Sequence, residues 1–203
     1  MKKILAIILL IFLVVSLVAC KQTSENVTQE NVETTTQKKN TVWNLTQKNG
    51  TETVSAHFRA YGTYNFLTPF DATAFITFHR EKEGRNNPDL IMRMYVGFLL
   101  ADDSFFDFYT HGGNKSSFRF SYEVNGIPFE GISAYPEGVP GTHLVIYLDE
   151  EEMNRIVDSL LVGEKVKCGV KQEDSYLGYE FEFTINGDGL SDIPFDWTYE
   201  ITG

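Results

Sequence analysis

The segment FRFSYEVNG, residues 118–126, decides the fold of this chain. Its alternate positions are apolar and the positions between them are polar; the apolar side chains are those of Phe118, Phe120, Tyr122 and Val124. Because successive side chains of a β-strand point to opposite faces, this alternation predicts a strand with one buried and one solvated face. Asn125-Gly126 follows it directly, and this pair favours a two-residue hairpin turn. An antiparallel partner strand is therefore expected next.

The same period of two recurs along most of the chain. Alternating apolar side chains run through residues 54–60, 72–78, 90–98 and 179–185, and Asn-Gly pairs at 49–50 and 186–187 supply further turns. Phe106 and Phe108 predict another short strand after the Asp102-Asp103 turn. Regular alternation of apolar and polar side chains is typical of antiparallel sheets that have one solvent-exposed face. The pattern predicts a mainly β fold, an antiparallel β-sandwich or flattened barrel of about nine or ten strands.

One stretch departs from this period and predicts a short α-helix at about residues 149–161. Its apolar side chains fall at helical intervals on one face; they are Met153, Ile156, Val157, Leu160 and Leu161. Asp149 and Glu152 have the spacing of a capping box, and Gly163 follows as a stop signal. The acidic run at residues 149–152 belongs to the first turn, where carboxylates complement the exposed amides and the helix dipole.

The chain begins with a charged and then apolar leader. Lys2 and Lys3 precede 16 uncharged residues, 4–19. As a helix this run is only about 24 Å long, which is short for a bilayer core of about 30 Å. It ends in Leu17-Val18-Ala19-Cys20, which resembles the lipobox of bacterial lipoproteins. The resemblance implies a signal peptide over residues 1–19, cleavage before Cys20 and a diacylglyceryl group on the Cys20 sulfur.

The same resemblance implies a location and a domain organisation. It implies that the protein lies outside the cytoplasm, anchored by lipid to the outer face of the plasma membrane, or to the outer membrane in a cell that has two. Residues 21–40 contain only two apolar side chains, Val27 and Val32, too few to offset the entropy of ordering. We therefore expect residues 20–40 to form the lipidated cysteine and a disordered tether, and residues 41–203 to form a single acidic β domain.

Charge and cysteine content exclude several classes of partner and chemistry. The chain carries 17 Lys and Arg against 28 Asp and Glu, a formal net charge of −11. Only five of the basic and three of the acidic residues lie outside residues 41–203, so the acidity belongs to the β domain. This balance argues against nucleic acid as a partner and permits a cationic partner or a divalent metal ion. Cys168 alternates with polar neighbours and is expected to face the core, so no disulfide is predicted once Cys20 carries lipid.

Residues 131–143, GISAYPEGVPGTH, form the candidate binding surface. Three Gly and two Pro interrupt the alternation and predict a loop that exposes Tyr135. Tyr135, Glu137 and His143 are the candidate binding residues, since loops on a rigid frame commonly carry recognition and tyrosine offers a large contact area. An inert connection between strands is the alternative interpretation.

Metal binding and catalysis have weaker signals. Asn186, Asp188 and Asp192 lie at alternate positions of a stretch that partly resembles a calcium loop, although the same Asn-Gly and Asp-Gly pairs are typical of tight turns. No nucleophile elbow, zinc-protease motif or paired-cysteine motif is present, so no catalytic residue and no cofactor other than calcium is predicted. Carboxylates that could pair for sugar hydrolysis are Asp102, Asp103, Asp107, Asp192, Asp196 and Glu200.

These observations predict a membrane-anchored extracytoplasmic lipoprotein whose β domain is a non-catalytic binding module. Its expected ligand is a protein or another envelope component, and the acidity of the domain favours a cationic one. Two alternatives remain at this point. The first is an anchored hydrolase of envelope polysaccharide that uses paired carboxylates, and the second is a structural component of envelope assembly.

Overall fold

The computed structural model describes residues 34–37, 42–48, 51–65, 67–82, 90–109, 117–138, 140–173 and 178–197. The predicted signal peptide and Cys20 lie outside these residues. Within them are ten strands: β1 (Thr34–Gln37), β2 (Asn44–Lys48), β3 (Thr51–Tyr64), β4 (Thr68–Lys82), β5 (Leu90–Leu100), β6 (Phe118–Val124), β7 (Ile127–Glu137), β8 (His143–Ile146), β9 (Lys165–Gln172) and β10 (Tyr179–Asn186). Helix α1 (Glu150–Leu161) lies between β8 and β9, and a 3-10 turn (Leu190–Asp192) follows β10.

Eight of the strands close into an antiparallel barrel. Around the barrel their order is β3-β10-β9-β6-β7-β8-β5-β4, and the pairing of β4 with β3 completes the circuit. The first half of β3 pairs on its other edge with β2, and the second half pairs with β10, so the hairpin of β1 and β2 extends outside the circuit. Of the two architectures predicted from the period of two, the structure has the barrel.

The barrel interior is filled by aromatic side chains. Phe98 and Phe181 stack face to face with ring centroids 3.9 Å apart, and Phe106 meets Phe181 edge-on at 5.1 Å. The largest fully buried rings include those of Phe98, Phe106, Phe108, Phe118, Phe120 and Phe181. An eight-stranded barrel has an interior of about the width that such side chains fill, so the core is packed rather than hollow. Each of these rings occupies an inward-facing apolar position of its strand or of the connection between β5 and β6.

Helix α1 closes one end of the barrel, where β9 begins and β10 ends. Its capping box is formed in both directions, since the Asp149 carboxylate accepts from Glu152 N at 2.8 Å and the Glu152 carboxylate accepts from Asp149 N at 3.0 Å. Gly163 has a left-handed backbone, with φ of 83°, and follows the last turn as predicted. The apolar face, which includes Met153 and Ile156, is buried in the core.

Two details of the predicted organisation are corrected. Phe106 and Phe108 are buried, but they do not lie in a strand, because the chain crosses the barrel end there and only Phe105 forms an isolated bridge, to Leu99. Strand β1 lies inside the segment 20–40 that was predicted to be a disordered tether. Its four residues pair with β2 through the backbone, so the ordered part of the chain begins before residue 41.

Candidate functional site

One row of residues crosses five neighbouring strands on the outer surface of the barrel. Register places His57 of β3 opposite Phe75 of β4, and Phe75 opposite Gly97 of β5. Gly97 lies opposite His143 of β8, and His143 lies opposite Glu137 of β7. The buried, inward phase of these strands fixes the phase that faces outward, so all five residues share one side of the sheet.

Aromatic and imidazole rings make contact along and beside this row. The Phe75 ring lies 4.6 Å from the His57 ring and 6.1 Å from the His143 ring, measured between centroids. Phe105 extends the contact to the far side of His143, at 5.8 Å. We call this surface the aromatic wall and define it by His57, Phe75, His79, Tyr95, Phe105, Tyr135, His143 and Tyr147.

The His143 ring packs against the backbone of Gly97. A Cβ atom at position 97 would lie 3.1 Å from His143 Cδ2 and 3.0 Å from the carbonyl oxygen of Thr142. The ring therefore lies against the bare backbone of β5 and reaches Phe75 on the next strand. The Thr142 hydroxyl lies 3.0 Å from His143 Nδ1 and fixes the ring orientation.

The environment of His143 favours its neutral form. Burial against β5 lowers the pKa of His143, because desolvation penalises the imidazolium ion, and the nearby Glu137 carboxylate opposes this shift only in part. A neutral imidazole can donate one hydrogen bond and accept another, so its polarity differs from that of a fixed cation. At neutral pH His143 is thus a half-buried polar ring within a mostly uncharged surface.

A depression of about 610 Å³ lies on the part of the aromatic wall formed by β2 to β5 and β8. Its floor carries the rings of Phe75, His79, Tyr95 and His143, and its sides carry hydroxyl groups; the complete lining is Thr46, Lys48, Thr51, Thr53, Ser55, Phe75, Thr77, His79, Tyr95 and His143. Within that lining Lys48 is the only Lys, Arg, Asp or Glu side chain. The site therefore offers ring faces and hydroxyl groups rather than an ionic contact.

The three candidate binding residues from the sequence lie on the same outer face of the sheet, and two of them, Tyr135 and His143, belong to the aromatic wall. Glu137 and His143 are cross-strand partners, and Tyr135 lies two residues along β7 on the same outer face, with 49% of its surface exposed. Tyr147, 59% exposed, packs edge-on against Tyr135 at 5.5 Å. The predicted loop, however, is mostly strand, because β7 continues to Glu137 and β8 begins at His143, where each pairs with the other.

Sequence reasoning missed most of the aromatic wall. Phe75, Tyr95 and Tyr147 were not among the candidates. Phe75 and Tyr95 belong to segments that were interpreted only for their core-facing side chains, and the segment that contains Tyr147 was not interpreted. One signal was present, because Phe75 and Tyr95 occupy the outward phase of their strands, where polar residues are the expectation. His79 also lies on this phase and contacts Tyr95 at 5.7 Å.

The residues predicted as calcium ligands lie at the helix-closed end of the barrel. Asn186 ends β10, and its side chain makes two contacts with the next turn: it accepts from Asp188 N at 3.1 Å and donates to Asp188 Oδ2 at 2.8 Å. Asp192 ends the 3-10 turn. The tight turn that these residues predict is present, and calcium binding stays a prediction. In the described part of the chain no group of three or more His, Cys, Asp or Glu is arranged to hold a metal ion.

The carboxylates considered for hydrolysis are dispersed, and several have local partners. Asp102 accepts from the Ser104 backbone and hydroxyl, Asp107 accepts from Tyr109 N at 2.9 Å, and Asp196 pairs with Arg80. Glu200 lies outside the described residues. Cys168 is buried, and burial raises the pKa of its thiol well above the ordinary value, as expected for a structural cysteine.

Comparison of the chain with protein-family models, with curated proteins and with solved structures found no match. Over the residues that the structure describes, none of the helices has the length and apolar character needed to cross a membrane. The composition of the aromatic wall departs from that of an ordinary solvated β surface, on which polar side chains are the expectation.

Proposed function

We propose that the protein is a lipid-anchored extracytoplasmic binding module that holds a protein partner on its aromatic wall. The observation that carries the proposal is the set of outward-facing rings on β3, β4, β5, β8 and β7, which pack in three groups: His57, Phe75, His143 and Phe105; His79 and Tyr95; and Tyr135 and Tyr147. Aromatic residues are enriched in the buried centres of protein interfaces, and Lys and Glu are depleted there. The aromatic wall has this composition on a rigid closed sheet.

The exposure of these rings also supports a binding role. Phe105 is 44% exposed, Tyr135 49% and Tyr147 59%, while the interior of the same barrel is filled with other aromatic side chains. These three exposed rings therefore contribute little to the hydrophobic core. Tyrosine and phenylalanine lose little conformational entropy on binding, because they have few rotatable bonds, so such rings make efficient contacts.

The lipobox resemblance supplies the location of the proposed module. A lipidated Cys20 would hold the barrel near a membrane surface, where two acyl chains give stable anchoring. A tethered module meets partners in the same envelope at a raised effective concentration, so modest affinity is sufficient. The acidity of the chain, with a net charge of −11, favours a partner with a basic surface around the contact.

Site-specific photo-cross-linking in intact cells tests the proposal. A photoreactive phenylalanine analogue at Thr77 places the probe in the depression of the aromatic wall, and the same analogue at Thr184 places it in a depression on the opposite side of the barrel. We expect a discrete protein adduct from position 77 that is absent from position 184. The adduct should disappear when His143→Ala is combined with the probe.

Two outcomes would contradict the proposal. Identical adducts from positions 77 and 184 would show nonspecific proximity, and a discrete adduct from position 184 alone would move the binding surface away from the aromatic wall. Repeating the cross-linking at increasing salt concentration tests the basic partner separately. An adduct yield that does not fall with salt would remove that feature, since exposed ionic contacts are screened over about 10 Å at 0.1 M salt.

A further inference from the structure

A second cavity lies at the end of the barrel opposite helix α1. It has a volume of about 440 Å³ and is lined by Tyr64, Phe70, Asp71, Leu100, Ala101, Asp102, Phe106 and Tyr179. This volume lies within the range of about 300–1,000 Å³ that small-molecule sites occupy. None of the residues that line it belongs to the aromatic wall, so the cavity is independent of the surface proposed above.

Four aromatic rings form the walls of this cavity and hold one another in place. The Tyr179 ring lies 4.7 Å from the Tyr64 ring, 4.8 Å from the Phe106 ring and 6.4 Å from the Phe70 ring. Phe106 is fully buried and rests on Phe181 in the barrel core. Because the rings are fixed by these contacts, the cavity is largely formed before any ligand arrives.

Two carboxylates lie at the rim of the ring cluster. The Asp102 carboxylate accepts hydrogen bonds from the Ser104 hydroxyl at 2.6 Å and the Ser104 backbone N–H at 3.1 Å, which fix its position. The same hydrogen bonds lower the pKa of Asp102, so it stays ionised in any neutral medium. Asp71 pairs with Arg59 at 3.2 Å, but both side chains are about 70% exposed, and such pairs contribute little.

Ring faces beneath a carboxylate rim select a particular ligand chemistry. The negative face of an aromatic ring attracts a positive charge, and several rings around one volume favour a cation that is bulky and weakly hydrated. An anionic ligand would be repelled by the two carboxylates and by the net charge of −11. A neutral apolar ligand would make favourable contacts with the rings but would gain no electrostatic attraction from the two carboxylates.

We propose that this barrel-end cavity is a binding site for a small organic cation, with a substituted ammonium group against the partly exposed rings of Tyr64, Phe70 and Tyr179 and its charge facing Asp71 and Asp102. The ring cluster supplies the contact area, and the carboxylates supply the selection for positive charge. The ligand class is a small molecule that carries a substituted ammonium group.

Choline is the probe that tests this proposal, because 3,3-dimethyl-1-butanol has the same shape without the charge. The complete lipidated chain in an uncharged detergent is titrated with each compound, and binding is followed by saturation-transfer difference NMR of the methyl signals. We expect saturable binding of choline and an affinity about tenfold lower for the neutral alcohol. Equal affinity for the two compounds, or no saturable binding of choline, would overturn the proposal.

Matched variants assign the effect to the cavity. Asp102→Asn should weaken choline binding about threefold, and the neighbouring Asp103→Asn, which does not line the cavity, should leave it unchanged. Tyr179→Leu removes a ring and should weaken binding about fivefold or more, while Tyr179→Phe keeps the ring and should retain it. Equal losses in Asp102→Asn and Asp103→Asn, or a loss in the folded Tyr179→Phe variant that matches Tyr179→Leu, would each contradict the assigned geometry.

Discussion

Opposite sides of the barrel carry depressions of the same volume, about 610 Å³ each, and opposite chemistry. The aromatic wall presents rings and hydroxyl groups. The other side, formed by the outer faces of β10, β9, β6 and the adjoining parts of β3 and β7, presents charged side chains; we call it the charged wall and define it by Arg59, Tyr61, Arg119, Glu123, Glu130, Lys167, Glu173, Glu180 and Glu182.

Several charged side chains of the charged wall pair with one another. Arg119 pairs with Glu173 and also donates to the carbonyl oxygen of Gly131, and Ser117 donates to the same Glu173 carboxylate at 2.9 Å. Lys167 pairs with Glu123 at 2.7 Å on neighbouring strands. Such cross-strand pairs stabilise the sheet and keep it soluble. The comparison supports the proposal that the aromatic wall, rather than the charged wall, is the recognition surface.

The largest expected effect is on partner binding by exposed tyrosines. Tyr135→Ala and Tyr147→Ala should each weaken binding about 30-fold, or about 2 kcal/mol, because both rings are exposed and pack against each other on the aromatic wall. Tyr61→Ala is the matched control, since Tyr61 is 53% exposed but lies on the charged wall under Arg59. Its affinity should stay within about twofold of the parent. The measurement is the dissociation constant of the partner identified by cross-linking.

A loss of affinity in Tyr61→Ala equal to that in Tyr135→Ala would remove the distinction between the walls. The free energy of unfolding of the three variants guards against an indirect effect. It should differ from that of the parent by no more than about 0.5 kcal/mol, as is usual for exposed positions.

The next largest effect compares a glycine on each wall. Gly97→Ala should destabilise the fold by about 1–2 kcal/mol, because the new Cβ meets the Thr142 backbone, which cannot move without disturbing β8. Gly169→Ala places its Cβ closer to a neighbour, 2.7 Å from Ser121 Oγ, but that hydroxyl can rotate away. Its change should be about 0.5 kcal/mol or less. Urea unfolding measures both values.

Distance alone gives the opposite order for the two glycines, so the pair is informative. A greater loss of stability in Gly169→Ala than in Gly97→Ala would show that the backbone at Thr142 adjusts to the new Cβ more easily than its geometry indicates.

The smallest expected effects are on the pH dependence of stability, which should differ between a residue of the aromatic wall and a residue of the charged wall. The pKa of His143 is lowered, so the unfolded chain takes up a proton first, and stability should fall as the pH drops below the ordinary value of 6.5. The pKa of Glu173 is lowered by its hydrogen bonds from Arg119 and Ser117, so its contribution is complete above 4.5 and is lost at more acidic pH. His143→Gln should remove the upper step and Glu173→Gln the lower one. Retention of both steps in either variant would contradict the assignment.

Much of the fold could be predicted from the sequence because its causes are local. The alternation in residues 118–124 predicted β6 and its buried face, and the spacing of Asp149 and Glu152 predicted the start of α1. Cys168 was correctly predicted to face the core. Phe106 and Phe108 were wrongly placed in a strand, because their burial depends on where the chain crosses the barrel end.

The candidate site was only partly predictable for a related reason. Tyr135, Glu137 and His143 are close in sequence, and composition was enough to select them. Their partners Phe75 and Tyr95 come from strands that are distant in the chain, and no local pattern states that they share a wall. The residues of the barrel-end cavity are equally dispersed, since Tyr64, Phe106 and Tyr179 meet only because the sheet closes.

The sequence by itself determined which side chains of the regularly alternating strands β3, β4, β5, β6 and β10 face inward, where the helix begins and ends, and that the acidity lies in the β domain. These properties follow from a period of two, from caps and from composition, which act over a few residues. Only the tertiary structure decided that the sheet closes into a barrel, that β8 pairs with both β5 and β7, and that rings from five strands form one wall. Register between distant strands is set by the packing of the whole core, and that packing is not contained in any single segment.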